Sequence, residues 1–255
     1  MMFAASALKG YAIEATDGRL GTVDDLLFDD HTWKVRWMVV DTGKWLSGRK
    51  VLIHPSAVTQ LDYERRVLPV GLTKVQVEES PGISEDQPMS RQMEGSLFNY
   101  YGYDPYWGPS FFGGGAIGML PYSEPFAGEV GVAESRRPET MGDIGDPHLR
   151  STQAVTGYHM QASDGAIGHL ENLLVDEAGW GVRYLVVDTK NWWPGKHVLL
   201  SPYAAKHIDW SAREVDLNVT RDQVKRSPPW DPAGAIDRIY EQRLHSHYGW
   251  PGYGF

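Results

Sequence analysis

Several histidines stand close to carboxylates or to one another in the sequence, which is the pattern of a metal site. His169 and Glu171 lie two residues apart on a predicted strand, so they share one face of it, and His159 falls in the strand expected beside it. An imidazole and a carboxylate in that arrangement could bind zinc. Polar residues on the exposed face of a strand explain the same pattern without a ligand, and we therefore predict no metal site here.

His245 and His247 form a second histidine pair near the end of a predicted helix. Positively charged side chains are favourable at the C-terminal end of a helix, where the backbone dipole is negative. This accounts for both residues without a ligand. We predict neither a metal nor a cofactor.

Nucleophilic catalysis would require a serine, a histidine and an acid that converge in space. Ser56 lies near His54, and Ser201 lies near His197, but neither serine stands in a Gly-x-Ser-x-Gly turn. The glycines at 113–115 lack the Lys-Ser/Thr ending of a phosphate-binding loop. No catalytic residue is therefore assigned, and the protein is predicted not to be an enzyme.

Aromatic residues are the strongest functional candidates, because eight of them crowd into residues 98–112. Tyr, Trp and Phe are the usual anchors of protein interfaces. The same side chains could instead cover an apolar patch of their own chain, and both interpretations remain open. The predicted interface consists of Tyr100, Tyr101, Tyr103, Tyr106, Trp107, Phe111, Phe112, Tyr248, Trp250 and Tyr253.

These candidates sit on a chain that repeats itself. Residues 35–42 recur as residues 182–189, and a shift of 147 residues aligns 8–108 with 155–255 without a gap. About one third of the aligned pairs are identical, which is too many for a coincidence of composition. The sequence therefore predicts two copies of one structural unit.

Each copy is predicted to hold six short β-strands. Asp-Gly pairs at 17–18 and 164–165 mark tight turns, because both residues tolerate positive φ. Residues 35–42 and their repeat are rich in β-branched and aromatic side chains, which is typical of a buried strand. So few residues favour a sheet that curls into a small barrel and leaves no exposed edge. Thr73 and Thr220 are predicted to cap a short helical turn after each barrel.

The predicted fold class is thus mainly β, with two small six-stranded barrels, each followed by a short helix and an aromatic tail. Asp231 is the expected cap of the second helix, with Pro232 in its first turn. The predicted boundaries are a first barrel at 8–81 with its helix and tail at 82–108, a Gly/aromatic and then polar linker at 109–154, and a second barrel at 155–228 with its helix and tail at 229–255.

The composition argues against several classes of function. The net charge is −9, with 24 Lys and Arg against 33 Asp and Glu, so no nucleic-acid partner is expected. The chain has no cysteine, which excludes disulfides and thiolate chemistry. We find neither a signal peptide nor an apolar run of the roughly 18–20 residues that a membrane-spanning helix needs. We predict a cytoplasmic protein without membrane insertion.

Each copy resembles a PRC-barrel domain. The resemblance rests on Gly-Tyr at the start of each unit, on Asp-Gly-x-x-Gly, on Val-Arg-Tyr-x-Val-Val-Asp and on Val-Leu-x-x-Pro, and the tail is similar to that of stand-alone bacterial members. It covers the chain apart from residues 1–7 and 109–154. The resemblance implies a six-stranded barrel that serves as a docking surface for protein, as in the cytoplasmic domain of the photosynthetic reaction-centre H subunit and in a ribosome maturation factor.

The resemblance implies binding rather than catalysis. We predict a non-catalytic protein-binding or assembly module built on duplicated barrels, with a protein partner or self-association into a homo-oligomer. The alternative is an accessory protein of a membrane photosynthetic or electron-transfer complex, similar to the H subunit. An RNA-linked maturation factor is a third interpretation, and the acidic charge argues against it.

Overall fold

The structure is a computed structural model that describes residues 1–46, 48–81, 91–103, 148–189, 196–232, 234 and 236–253. The chain divides into two compact units. One comprises Met1–Ser84 together with His148–Phe255, and the other comprises Glu85–Pro147. Both β-sheets of the described residues belong to the first unit, so the strands of the two halves share one compact body.

The described residues are mainly β, as the sequence predicts. The strands are β1 (Met2–Ala4), β2 (Ala12–Ala15), β3 (Gly18–Asp29), β4 (Val35–Asp41), β5 (Lys50–Ile53), β6 (Val67–Pro69), β7 (Leu149–Ser151), β8 (His159–Ala162), β9 (Gly165–Asp176), β10 (Val182–Asp188), β11 (His197–Leu200), β12 (Ala205–Asp209) and β13 (Glu214–Leu217). The helices are α1 (Lys74–Glu78), α2 (Arg91–Tyr101), α3 (Thr152–Val155), α4 (Arg221–Lys225) and α5 (Arg238–Tyr248). Short 3₁₀ turns occupy Ala5–Leu8, Pro55–Ala57 and Pro202–Ala204.

The strands form two mixed sheets with the same order. The first runs β5-β4-β3-β2-β6 and carries β7 on β3, while the second runs β11-β10-β9-β8-β13-β12 and carries β1 on β9. The pairs β2–β6 and β8–β13 are parallel. From β2 to β6, every element of the first sheet has a counterpart that begins 147 residues later.

The prediction of two closed six-stranded barrels holds only in part. Among the described residues, no strand pairing joins β5 to β6 or β11 to β12, so each sheet is an open path of strands. The predicted strand at 58–62 is reduced to two isolated bridges, Val58 with Val70 and Asp62 with Val67. Pro69 lies between the two bridge partners and has no N–H to donate, which limits the ladder that can form there.

β4 lies between β3 and β5 and is buried on both faces. Six of its seven residues are buried, including Trp37 and Arg36. The Arg36 guanidinium forms an ion pair with the buried carboxylate of Asp29 on β3, so the charge is compensated. The corresponding pair on the second sheet joins Arg183 and Asp176 at 3.4 Å.

The two halves exchange short strands. β1 pairs with β9 in the second half, with Phe3 opposite Val175, and β7 pairs with β3 in the first half, with Arg150 opposite Phe28. The sequence leaves residues 1–7 outside the units and assigns 149–154 to the linker, whereas the structure assigns strand or helix to most of both. Such short strands gain a hydrogen-bonding partner only from the other half, and a pattern within one unit does not reveal that partner.

Polar side chains fix both exchanged segments in the same way. Asp25 accepts hydrogen bonds from the hydroxyls of Ser151 and Thr152, the latter at 2.9 Å. Its counterpart Asn172 donates to Ser6 Oγ at 2.6 Å. The β3–β4 and β9–β10 connections also meet through two backbone hydrogen bonds. The Val35 N–H donates to the Trp180 carbonyl at 2.8 Å, and the Val182 N–H donates to the Trp33 carbonyl at 2.6 Å.

The helix caps agree with the sequence in two cases and differ in one. Thr73 and Thr220 each form a capping box with a glutamine three residues later, as predicted. The cap of the last helix is Asp237 rather than Asp231, because the Asp237 carboxylate accepts the Tyr240 N–H at 2.7 Å. The prediction of Asp231 as cap is therefore wrong.

Candidate binding site

The aromatic tail of the second half folds back onto its own sheet. Tyr248, Trp250 and Tyr253 pack against a buried cluster on β9, β10, β11 and α5 that consists of Leu174, Tyr184, Val186, Leu199 and Leu244. Tyr248 and Trp250 stack with their ring centroids 4.1 Å apart. Three of the predicted interface residues thus contact their own chain.

Tyr253 is held at both its ring and its hydroxyl. The ring stacks on Tyr203 at 5.7 Å, and the Arg183 guanidinium lies over it at 4.3 Å. The hydroxyl donates to the Arg183 carbonyl at 2.7 Å and lies 2.6 Å from Ser201 Oγ. Burial raises the pKa of Tyr253 to about 12. The tail is therefore fixed by specific polar contacts as well as by apolar ones.

A buried polar network lies beneath the tail. The Tyr184 hydroxyl donates to Glu241 Oε1 at 2.9 Å and lies 3.0 Å from His245 Nε2. His245 Nδ1 donates to the Pro251 carbonyl at 2.7 Å. Burial, followed by the nearby Glu241 carboxylate, raises the pKa of Tyr184. All three network side chains are buried, so each one depends on the others for its hydrogen bonds.

Sequence reasoning missed this role of His245. The residue was interpreted as a surface cation at a helix end, but it is only 5% exposed and contacts the rings of Trp250 and Tyr253. One signal was available in the sequence. The corresponding position in the first repeat, 147 residues earlier, holds Phe98. An apolar ring at the position equivalent to His245 indicates a buried site.

A groove of about 700 Å³ opens beside this cluster. Its apolar surface comes from Leu174 and Val186 on the sheet and from Trp230 and Ile236 on the segment before α5, and β1 lines another side. Polar side chains stand at the same groove, where His197 Nε2 lies 2.9 Å from Glu171 Oε2. A groove of this size, mostly apolar with a few polar groups, has the properties of a binding site.

Trp230 lines the groove and carries a buried hydrogen-bond donor. Its indole nitrogen is buried, and it has no hydrogen-bond partner in the described part of the chain. A buried N–H without an acceptor costs roughly 1–3 kcal/mol, so such groups usually find a partner.

The predicted interface residues of the first half are only partly described. Tyr100 is 38% exposed, and its ring meets that of Tyr101 edge to face at 5.1 Å. Tyr101 stacks in turn on Tyr103 at 5.8 Å. The remaining predicted residues lie outside the described residues and are Tyr106, Trp107, Phe111 and Phe112.

The histidines considered above as zinc ligands each make other contacts and do not form one site. His159 and His169 lie ring to ring at 4.7 Å, but Glu171 pairs with His197 instead. His247 Nε2 lies 2.8 Å from the Gln223 carbonyl and donates to it, so that nitrogen cannot ligate a metal at the same time.

The serine–histidine pairs are equally unsuited to nucleophilic chemistry. His54 Nδ1 lies 2.8 Å from Ser56 Oγ, but the same nitrogen also accepts the Ser56 backbone N–H at 3.2 Å. Burial and the nearby Arg36 charge lower the pKa of His54 to about 4, which makes it a weak base near neutral pH. Ser201 bonds to the Tyr253 hydroxyl, while His197 faces Glu171.

Comparison with known proteins identifies the first half of this arrangement. Residues 1–77 match the model of the PRC-barrel domain family, so the N-terminal region contains a PRC-barrel domain. The match includes residues 1–7, the segment whose strand is exchanged to the second sheet. No curated protein matches the chain. Within the described residues, no helix is long and apolar enough to cross a membrane.

Proposed function

We propose that this protein is a non-catalytic module that binds a protein partner in the groove between β1, the second sheet and Trp230. The groove itself carries the proposal, because it combines a large apolar surface with the polar side chains of His197 and Glu171. A peptide segment supplies both an apolar side chain and polar backbone groups, which match these two features.

The proposal includes a second PRC-type unit at residues 155–228. Its support is the equal spacing of the elements, since β8 to β11 each begin 147 residues after β2 to β5 and have the same lengths. The duplication gives one chain two related surfaces. In the second half the aromatic tail packs on the sheet, and the groove forms beside that tail.

The groove favours a partner with a large apolar side chain. Leu174 and Val186 form the floor, and Trp230 and Ile236 flank it, so an inserted side chain would be surrounded by apolar carbon. Glu171 is about half exposed at the groove and would face a basic group of the partner. The overall charge of −9 also favours association with a basic partner.

A photo-crosslinking amino acid at position 236 tests the proposal in the native host. We expect position 236 to crosslink reproducibly to one partner chain, which mass spectrometry then identifies. Position 239 is the matched control, because Ile239 has the same side chain and is 66% exposed on α5 but does not line this groove. The substitution Ile236→Ser should weaken binding of that partner, whereas Ile239→Ser should not.

Sedimentation of the purified protein distinguishes binding of a second copy of this chain from binding of a different protein. Self-association through the groove predicts a dimer or larger oligomer that Ile236→Ser dissociates. A strictly monomeric protein that gives equal crosslinking at 236 and 239 would contradict the proposal.

A further inference from the structure

The turn between β3 and β4 brings together two imidazoles and a carboxylate that the sequence separates. Asp30 and His31 stand in this turn, and His148 immediately precedes β7, which pairs with β3. His148 Nδ1 lies 2.9 Å from Asp30 Oδ1, and His31 Nδ1 lies 3.2 Å from His148 Nδ1 and 3.7 Å from the same carboxylate oxygen. Three donor atoms thus form one small triangle.

The dimensions of this triangle are those of a metal site. Zinc binds imidazole nitrogen at about 2.0–2.1 Å and carboxylate oxygen at about 2.0–2.2 Å, so two ligands of a tetrahedral ion lie roughly 3.3 Å apart. The three separations here are 2.9, 3.2 and 3.7 Å, which bracket that value. Two imidazoles and one carboxylate suit zinc, copper or nickel better than magnesium or calcium, which prefer oxygen ligands.

The surroundings hold the three donors in place. Asp29 Oδ1 accepts the backbone N–H of His31 at 2.9 Å and that of Thr32 at 2.6 Å, which fixes the turn. The Asp30 N–H donates to the His148 carbonyl at 2.9 Å, which ties the two ligand-bearing segments together. A metal would therefore find its ligands already positioned.

Arg150 lies beside the three donors, and its positive charge would repel a bound metal cation. Its Nε donates to Asp30 Oδ2 at 3.0 Å, while its guanidinium lies over the Trp210 ring at 3.9 Å. The arginine therefore occupies the carboxylate oxygen that faces away from the imidazoles and leaves Oδ1 directed towards them. Hydrogen bonds of this kind orient ligands in known metal sites.

The second half of the molecule shows that the fold does not require these residues. The positions that correspond to Asp30 and His31 hold Glu177 and Ala178, and Met1 corresponds to His148. β1 nevertheless pairs with β9 as β7 pairs with β3. The histidines are thus dispensable for the strand exchange itself, which favours a separate role for them.

We propose that Asp30, His31 and His148 bind a divalent transition metal, with zinc the best-fitting ion, and that the metal fastens β7 to the first sheet. His31 is largely exposed and leaves an entry path and a fourth coordination position open to water. Because His148 lies directly before the exchanged strand, the bound metal stabilises the joined state of the two halves.

Calorimetric titration of the full-length protein with Zn²⁺ at neutral pH tests this assignment. We expect one zinc ion per chain, and X-ray absorption should show nitrogen and oxygen ligands that include two imidazoles. His31→Ala and His148→Ala should each weaken binding by at least about tenfold. Zinc should also raise the melting temperature of the wild-type protein and not that of His148→Ala.

The histidine pair on the other sheet supplies the control. His169→Ala removes one ring of the His159–His169 contact, and it should leave zinc affinity and stoichiometry unchanged. Circular dichroism establishes whether each variant is folded. If His148→Ala does not fold, His31→Ala still tests the site, because His31 is exposed. The proposal is overturned if no zinc binds up to about 1 mM, or if His31→Ala and His148→Ala bind as the wild type does.

Discussion

At the scale of single residues, the buried network of Tyr184, Glu241 and His245 is the feature most sensitive to the loss of one polar group. The Tyr184 hydroxyl reaches both other side chains, so its removal leaves a buried carboxylate and a buried imidazole nitrogen each short of a partner. We expect Tyr184→Phe to lower the free energy of unfolding by about 2–3 kcal/mol. Urea denaturation measures the change.

Tyr203 provides the comparison for that substitution. It is 45% exposed, and its ring stacks on Tyr253 without any contribution from its hydroxyl. Tyr203→Phe should therefore change stability by no more than about 0.5 kcal/mol. Equal effects of the two substitutions would show that the buried network does not stabilise the fold.

His54 makes stability depend on pH in the mildly acidic range. The unfolded chain binds a proton at this residue near pH 6.5, whereas burial and Arg36 lower the pKa in the folded protein to about 4. Between these values the unfolded state holds more protons, so the free energy of unfolding falls as pH decreases, by up to about 1.4 kcal/mol per pH unit from this group. Full stability from His54 is present above pH 6.5.

The substitution His54→Ser isolates this contribution. Serine stands at the corresponding position 201, where its hydroxyl accepts the N–H two residues later much as His54 Nδ1 does. Denaturation series at pH 7, 5.5 and 4.5 should show a shallower dependence for His54→Ser than for the wild type. All other titrating groups are common to both proteins, so parallel curves would contradict the assignment.

At the scale of elements, one glycine in each of β3 and β9 allows the neighbouring strand to approach closely. A side chain at Gly168 would collide with the carbonyl oxygen of Asp188 on the neighbouring strand, and its φ of +137° also disfavours other residues. Gly168→Ala should therefore reduce the free energy of unfolding by at least about 3 kcal/mol. Gly181→Ala is the control, because a Cβ there meets open space, and its effect should stay within about 0.5 kcal/mol.

The sequence predicted the elements with strong local signals and missed those that depend on distant partners. The N-caps Thr73 and Thr220 are set by residues within one turn, and both were predicted correctly. The partners of β1 and β7 are more than 100 residues away, and three residues carry too little pattern to reveal them. The same separation hid the approach of His31 to His148, which are 117 residues apart in the sequence.

The candidate site shows the same limit. The aromatic residues at 98–112 stand out by composition, and the repeat relates them to the tail at 248–253. Its position on β10 and β11 depends on the Tyr253 hydroxyl reaching Ser201 and the Arg183 carbonyl, which no local pattern encodes. Composition thus indicated candidate residues, whereas what these residues contact depends on the tertiary structure.

At the scale of the whole molecule, the reciprocal strand exchange predicts that the two halves stay together without a covalent link. Each half donates a strand to the other, and the turns that carry Trp33 and Trp180 add backbone hydrogen bonds between them. A protease site inserted at Gly128 allows the chain to be cut between the halves after folding. We expect the cut protein to elute as one species in size-exclusion chromatography, with both fragments present.

A variant of the exchanged strand decides whether that association comes from the strand exchange. Phe3 is 5% exposed on β1, and its ring meets that of Trp180 edge to face at 5.5 Å. Phe3→Ala should lower the urea concentration at which the cut fragments separate, because it removes apolar contact between the halves. The uncut variant should be less affected, since its halves remain at a high effective concentration. Fragments that separate in buffer alone would show that the exchange contributes little to the fold.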